Sequence, residues 1–395
     1  MAHPSPIPLL RAVLLAATAS LLALSPLDAA FQLLPARALG GAESTKRPLP
    51  LSLSTWRDGT FAQAFEAYYA QHFGGRPWLI SLANQLRFSL FGVIPRTSGT
   101  PVTLGTDHWL YENAYLHDYL GDTGAPPPEA GDDALPSLRA LADFCAAHDV
   151  AFVLLVTPSK PHIYPEHLPS ALQSPATTPR ARDVLLPQLR AAGLPLVDAH
   201  ELFRAWKAEP DAPLLFAPTG THWTYDAAWR TLLVALQTAR PPKPFQPPAH
   251  HRETHFPEQP DRDLCALINL FRFDAPDEAQ VPYPVFDPLP PDSPWPRTRI
   301  GLLGDSFCHS LADLLSRSGL DHPTEYLYYG RRFHQSSPRG LNHAAPMQAG
   351  DPIDWSSFDF PAWLRSLDLF ILECNEIQLL DPWWWLHAAP TTPAS

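Results

Sequence analysis

Three uninterrupted apolar runs, each closing on a short polar cluster, constrain this chain most. They are "VAFVLLVTPSK" (150–160), "RIGLLGDSF" (299–307) and "LDLFILECNE" (367–376). A strand half-exposed to water alternates apolar and polar residues, whereas a continuous apolar strand must be covered on both faces. Between these runs, "LPSLRALADFCAAHD", "TPRARDVLLPQLRAAG", "ELFRAWKAE" and "YDAAWRTLLVALQTA" repeat apolar residues at helical spacing, and "LPLVDA" and "TEYLYYG" add shorter strands. Alternating strands and helices predict the α/β class, with a mostly parallel sheet and helices on both faces. Thr224 is the expected N-cap of the helix that follows it, and a helix is expected over about 307–316.

Upstream, "FAQAFEAYYAQHFGGRPWLISLANQLRFSLFG" (61–92) predicts two helices parted at Gly74, Gly75 and Pro77, and "VTLGTDHWLYEN" (102–113) a hairpin turning at Gly105–Asp107. Residues 42–60 read as a polar linker, 61–380 as one domain with a Pro-rich insertion over about 240–298, and 381–395 as a tail. Many of the 48 prolines sit in such loops, while 45% hydrophobic content is enough for a large core.

At the N-terminus, Arg11 precedes the apolar stretch Ala12–Leu24, and small residues follow. That length suits the apolar region of a signal peptide and is short for a full membrane span. Residues 1–41 are therefore expected to be a signal peptide or an N-terminal inner-membrane anchor, making the protein exported or periplasmic. With 28 Lys+Arg against 40 Asp+Glu and no basic run, nucleic acid is a poor partner. Cys145, Cys265, Cys308 and Cys374 show no zinc spacing, and Cys145 and Cys374 lie in apolar segments that suit buried thiols. "HHRETH" (250–255) lacks the helix and glutamate placement of a zinc-protease motif, so neither a metal nor another cofactor is expected.

In open α/β sheets, binding residues collect beyond the C-terminal ends of the strands, where "TPSK", "GDSF" and "ECNE" all fall. Ser306 stands where a strand gives way to a helix, a place that suits an exposed nucleophile or an ordinary N-cap. As a nucleophile it would have the amides of Ser306 and Phe307 as oxyanion donors, with Asp305 bonding loop amides. Among 17 histidines, His222 in "GTHWTYDAAW" is the best candidate base, with Trp223 placed to shield it.

These segments, in this order, resemble the alginate O-acetyltransferase family of the AlgJ/AlgX type, over about residues 55–380. "VTLGTDHWLYEN", "VTPSKPHIYPEHLP", "THWT", "LLGDSF" and "DLFILECNEIQL" each resemble a block of its pattern, although His108 stands where glycine is usual. The resemblance implies an SGNH/flavodoxin-like fold in which Ser306 carries the acetyl group and His222 serves as general base, then acid. It also implies a polysaccharide acceptor, an acetyl donor served by a membrane-bound O-acyltransferase, and membership of an exopolysaccharide biosynthesis complex.

One position departs from that pattern. The family's acid stands two residues before its histidine, where this chain has Gly220. Asp226 or Asp198 could replace it, the site could work as a Ser–His dyad, or activity could be lost. Lys160 (one of four lysines), Tyr164, Asn375 and Arg331 are candidates for the substrate side; for the first three a plain packing or loop role is the alternative. The expected function is polysaccharide O-acetylation, against a carbohydrate acetylesterase or an inactive glycan-binding scaffold.

Overall fold

The computed structural model describes residues 6–41, 51–94, 101–122, 124–127, 131–132, 134–175, 177–240, 247–257, 261–274, 280–288, 292, 298–318, 324–328, 331–335 and 351–381. The chain divides into two compact units, 1–100 with 265–273, and 101–264 with 274–395. Residues 61–100, which the sequence reading joins to the following domain, thus group with the first unit.

The first unit is helical: α1 (Pro6–Phe31), α2 (Leu53–Arg57), α3 (Thr60–His72) and α4 (Arg76–Phe91). The break between α3 and α4 falls at the predicted glycines, with Gly75 in the left-handed region and Pro77 in the first turn of α4. Where a linker was expected, α2 forms because the Ser52 hydroxyl accepts the Thr55 amide. Asp28, near the end of α1, accepts the amides of Leu34 and Gly75. No helix among the described residues is long and apolar enough to cross a membrane.

The second unit holds the remaining strands and helices. A hairpin, β1 (Val102–Leu104) and β2 (Leu110–Glu112), leads into α5 (Asn113–Leu120) and α6 (Ala134–Ala147). His108, at the position where glycine is usual, has φ +60°, and its neighbour Asp107 has φ +52°. The hairpin turn therefore requires the left-handed backbone that glycine would supply without strain. β3 (Ala151–Thr157), α7 (Lys160–Ile163), α8 (Ala181–Ala191), β4 (Leu196–Asp198), α9 (Ala199–Lys207) and α10 (Tyr225–Ala239) follow. The "HHRETH" stretch is strand β5 (His250–His255), paired antiparallel with β6 (Val281–Phe286) across the Pro-rich insertion. Between them α11 (Asp263–Ile268) opens in this unit, and its residues from Cys265 onward group with the first.

β7 (Ile300–Gly304), α12 (Cys308–Arg317), β8 (Thr324–Tyr328), β9 (Arg331–Gln335), β10 (Asp351–Pro352), α13 (Phe360–Arg365) and β11 (Leu369–Asn375) complete it. The main sheet has the order β10-β9-β8-β7-β11-β3-β4. From β8 to β4 all pairs are parallel, while β9 and β10 add antiparallel pairs at one edge. Helices cover both faces, as the apolar runs require. Along β3, Val153 and Leu155 join the core beneath α10 and α12; Phe152, Leu154 and Val156 join the core with α6, α8 and α13.

This order carries functional weight. The chain moves from β3 outward to β4, restarts at β7 and moves outward the other way through β8, then returns to insert β11 between β7 and β3. The carboxyl ends of β3, β11 and β7 are therefore neighbours at the point where strand order reverses, which is where ligand crevices open in such sheets.

Candidate active site

Beyond β7 the chain turns sharply through Asp305, Ser306 and Phe307 into α12. Glu373 of β11 lies directly beneath this turn, fully buried, its carboxyl accepting the Asp305 amide at 2.9 Å and the Thr157 hydroxyl at 2.7 Å. A side chain at Gly304 would meet that carboxyl at 2.5 Å and the Cys308 sulfur at 2.6 Å, so the strand end must be bare to pass over it. Burial, and then the charge of Asp305, push Glu373 well above the usual carboxyl range. Asp305 does bond loop amides, accepting from Phe307 at 2.8 Å. The Phe307 amide is thereby used inside the turn, which corrects its assignment as an oxyanion donor.

The second element is the loop 217–224 before α10. Thr224 caps that helix as expected, its hydroxyl accepting the Ala227 amide. Trp223 is buried between Phe203 and Phe307, and its indole donates to Ser310 in the first turn of α12. That contact ties the histidine loop to the serine turn. His222 then presents Nε2 to Ser306 Oγ at 2.7 Å and packs against the edge of Phe307.

The other imidazole nitrogen meets a carboxylate that the sequence reading did not single out. His222 Nδ1 lies 2.9 Å from Asp263 Oδ2, and Asp263 Oδ1 accepts the Thr221 amide at 2.9 Å. The Thr221 hydroxyl in turn donates to Glu112 of β2 at 2.7 Å. Burial pulls the His222 pKa down, but the hydrogen bond and charge of Asp263, with smaller contributions from Asp305 and Glu112, raise it above the ordinary histidine value.

Neither expected substitute acid touches the imidazole. Asp226 is held by Arg252 at 2.9 and 3.0 Å. Asp198 pairs with Arg190 at 2.6 Å and caps α9 through the His200 amide. Three of the substrate-side candidates are engaged within the protein. Lys160 is buried, donating to the carbonyls of Leu110, Ala217, Pro218 and Gly220 beneath the rings of Trp109 and Tyr111. The Tyr164 hydroxyl accepts the Leu215 amide, and the Asn375 amide group donates to Thr157 and Pro158. The Arg331 side chain lies outside the described residues.

Next to Asn375, Glu376 is also buried, accepting the Ser159 amide and hydroxyl and facing His162 and His200. Burial opposes its charge, but the two histidines hold its carboxyl well below the usual range. All four cysteines are free thiols, and no cluster among the described residues could hold a metal ion.

Residues 102–308, just over half of the chain, match the SGNH hydrolase-like domain of the acetyltransferase AlgX. The chain belongs to this family. It is 29% identical over 168 residues to the probable alginate O-acetylase AlgJ of Pseudomonas aeruginosa, covering 42% of this chain and 39% of that protein. It is 26% identical over 176 residues to the corresponding AlgJ of Pseudomonas fluorescens, covering 41% of it. The match thus spans about two fifths of the length of these relatives. Among solved structures, the O-acetyltransferase domain of Pseudomonas putida AlgJ superposes with a TM-score of 0.42 at 19% identity, covering 74% of this chain and 99% of that one.

At Gly220, where the resemblance leads one to expect an acid, the chain has none, and the carboxylate at His222 Nδ1 comes instead from Asp263. Asp263 sits at the start of a short helix in the insertion, a place where an acid is commonplace. The absence of an acid at 220 is the one sequence signal that another carboxylate should be sought.

Proposed function

We propose that this protein is an exported polysaccharide O-acetyltransferase that works through an acetyl–Ser306 intermediate. The observation that carries the reading is the 2.7 Å contact between Ser306 Oγ and His222 Nε2 at the switch point of the sheet. In the first half-reaction the Ser306 oxygen attacks the acetyl carbonyl while His222 Nε2 takes its proton. The tetrahedral intermediate collapses, breaking the bond to the donor's leaving group, which receives that proton. In the second, a sugar hydroxyl gives its proton to Nε2 and attacks the acyl carbon, and Ser306 departs reprotonated.

The acceptor is alginate or another exopolysaccharide, and the donor side is served by a membrane-bound O-acyltransferase within a biosynthesis complex. The names of the AlgJ relatives support this substrate class. The apolar N-terminal segment supports export to the periplasm, as a signal peptide or an anchor.

The test is acylation of the purified chain by p-nitrophenyl acetate, followed by peptide mass spectrometry with and without a glycan acceptor. Acetyl on Ser306, absent in Ser306→Ala and passed to the glycan, is the expected result. No acetylation of folded protein would remove the reading; release as acetate, with or without acceptor, would identify an esterase. Glycan binding unaffected by Ser306→Ala, with no turnover, would identify a scaffold.

A further inference from the structure

We infer that Asp263 is the residue that orients His222 in this protein, and that the bare backbone at Gly220 is the condition for its being there. The inference rests on the Ser306–His222 reading and adds to it the source of the third group.

Three observations carry it. First, Asp263 is bound at both oxygens to one loop, Oδ2 to the imidazole Nδ1 and Oδ1 to the Thr221 amide, each at 2.9 Å. A carboxylate held at two points cannot swing away from the ring, and it fixes the tautomer with the proton on Nδ1, leaving Nε2 free to accept from Ser306. Second, a Cβ at residue 220 would stand 2.8 Å from the Asp261 carbonyl oxygen, 2.9 Å from its carbon and 3.1 Å from its Cα. These are backbone atoms and cannot turn aside as a side chain would. Gly220 is therefore required for space, because the segment 261–263 runs through the volume that a side chain at 220 would fill.

Third, that segment is fastened where it passes. The Thr219 hydroxyl donates to the Asp261 carbonyl at 2.9 Å, and the Tyr283 hydroxyl of β6 donates to the Asp261 carboxylate. The Pro-rich insertion is thus part of the site's machinery. Its approach from 41 positions downstream brings a carboxylate to the imidazole Nδ1. The other acids facing His222 are engaged elsewhere: Asp305 accepts within its own turn, and Glu112 accepts from Thr221. Asp263 acts through His222 and is a positioning residue.

The experiment uses the full chain with Asp263→Asn, Asp263→Ala and Gly220→Asp/Asp263→Asn. Two readouts are taken: acylation of Ser306 by p-nitrophenyl acetate, and the NMR titration of the His222 ring. Asp263→Asn is expected to slow acylation roughly 10^4-fold, the scale on which a misoriented imidazole fails in serine proteases, and to move the His222 midpoint downward. Added formate is expected to restore part of the rate in Asp263→Ala, which a structural role would not allow. Gly220→Asp is expected to give no recovery.

An unchanged acylation rate and unchanged titration in Asp263→Asn would overturn the assignment. Recovery through Gly220→Asp would overturn the claim that 261–263 closes that position. If the parent chain is not acylated at all, the functional reading fails, while the titration still decides whether Asp263 governs the imidazole.

Discussion

The ammonium of Lys160 lies 2.7 Å from the carbonyl oxygen of Gly220, two residues before His222. Lys160 also reaches the carbonyls of Leu110, Ala217 and Pro218, so one buried cation gathers the hairpin and the histidine loop at the end of β3. Lys160→Met keeps the stem and removes the charge, leaving carbonyls arranged around a cation without it. Stability is expected to fall by about 3–5 kcal/mol, the usual cost of removing one partner from a buried charge site. Chemical denaturation measures this, and an unchanged midpoint would contradict the bracing role.

The pH dependence of acylation follows from His222. Its pKa is raised in the folded protein, and only the neutral ring can accept the Ser306 proton. Acylation should therefore fall on the acid side, with a midpoint above the ordinary 6.5 of histidine. The profile of kcat/KM for p-nitrophenyl acetate reports this; a midpoint below 6.5 would show that the carboxylates around the ring do not govern it.

The stability that Glu373 contributes should decline as pH rises. Its raised pKa means that the native state holds a proton which the unfolded chain releases above about 4.5. By linkage, this group's contribution to stability declines as pH rises from there toward the folded value. Glu373→Gln, neutral throughout, is expected to abolish that slope at small overall cost. Glu373→Leu should lose about 2–4 kcal/mol by leaving the Asp305 amide and the Thr157 hydroxyl without an acceptor. Unfolding measured across the acid and neutral range separates the two variants, and equal behaviour would refute a protonated Glu373.

The Glu376 cluster should show the opposite slope on its acid side. Its carboxyl is lowered in the fold, so its contribution is present above the unfolded value near 4.5 and is lost as pH falls through the folded one. Burial pulls His162 down, but the Glu376 charge and hydrogen bond raise it overall; its contribution is full below 6.5 and fades as pH rises through the folded value. The cluster should therefore stabilise most between those limits, and Glu376→Gln should cost about 3–5 kcal/mol there. Stability profiles of wild type and variant that run parallel across pH would rule this out.

Much of the architecture was readable from the residues. The apolar runs that became β3, β7 and β11, the helical spacing of α3, α4 and α10, and the Thr224 cap are local patterns, and local patterns survive folding when burial agrees with them. The antiparallel edge strands β9 and β10 and the β5–β6 hairpin were not anticipated, since short or exposed strands carry little periodicity. An isolated lysine after a buried strand reads as available to substrate, whereas the fold surrounds Lys160 with four carbonyls.

What the sequence by itself determined is which segments must be strands and helices, and that polar residues such as Ser306 and Glu373 lie at or near the ends of the buried strands. Those properties depend on neighbours along the chain. Only the tertiary structure decided that His222 meets Ser306, that Asp263 rather than Asp226 or Asp198 meets the far side of the ring, and that Glu373 is sealed beneath the Asp305 turn. The partner of a charge, and the solvent around it, are set by whatever the folded chain brings within about 3 Å, the reach of a hydrogen bond, and spacing along the sequence does not encode that distance.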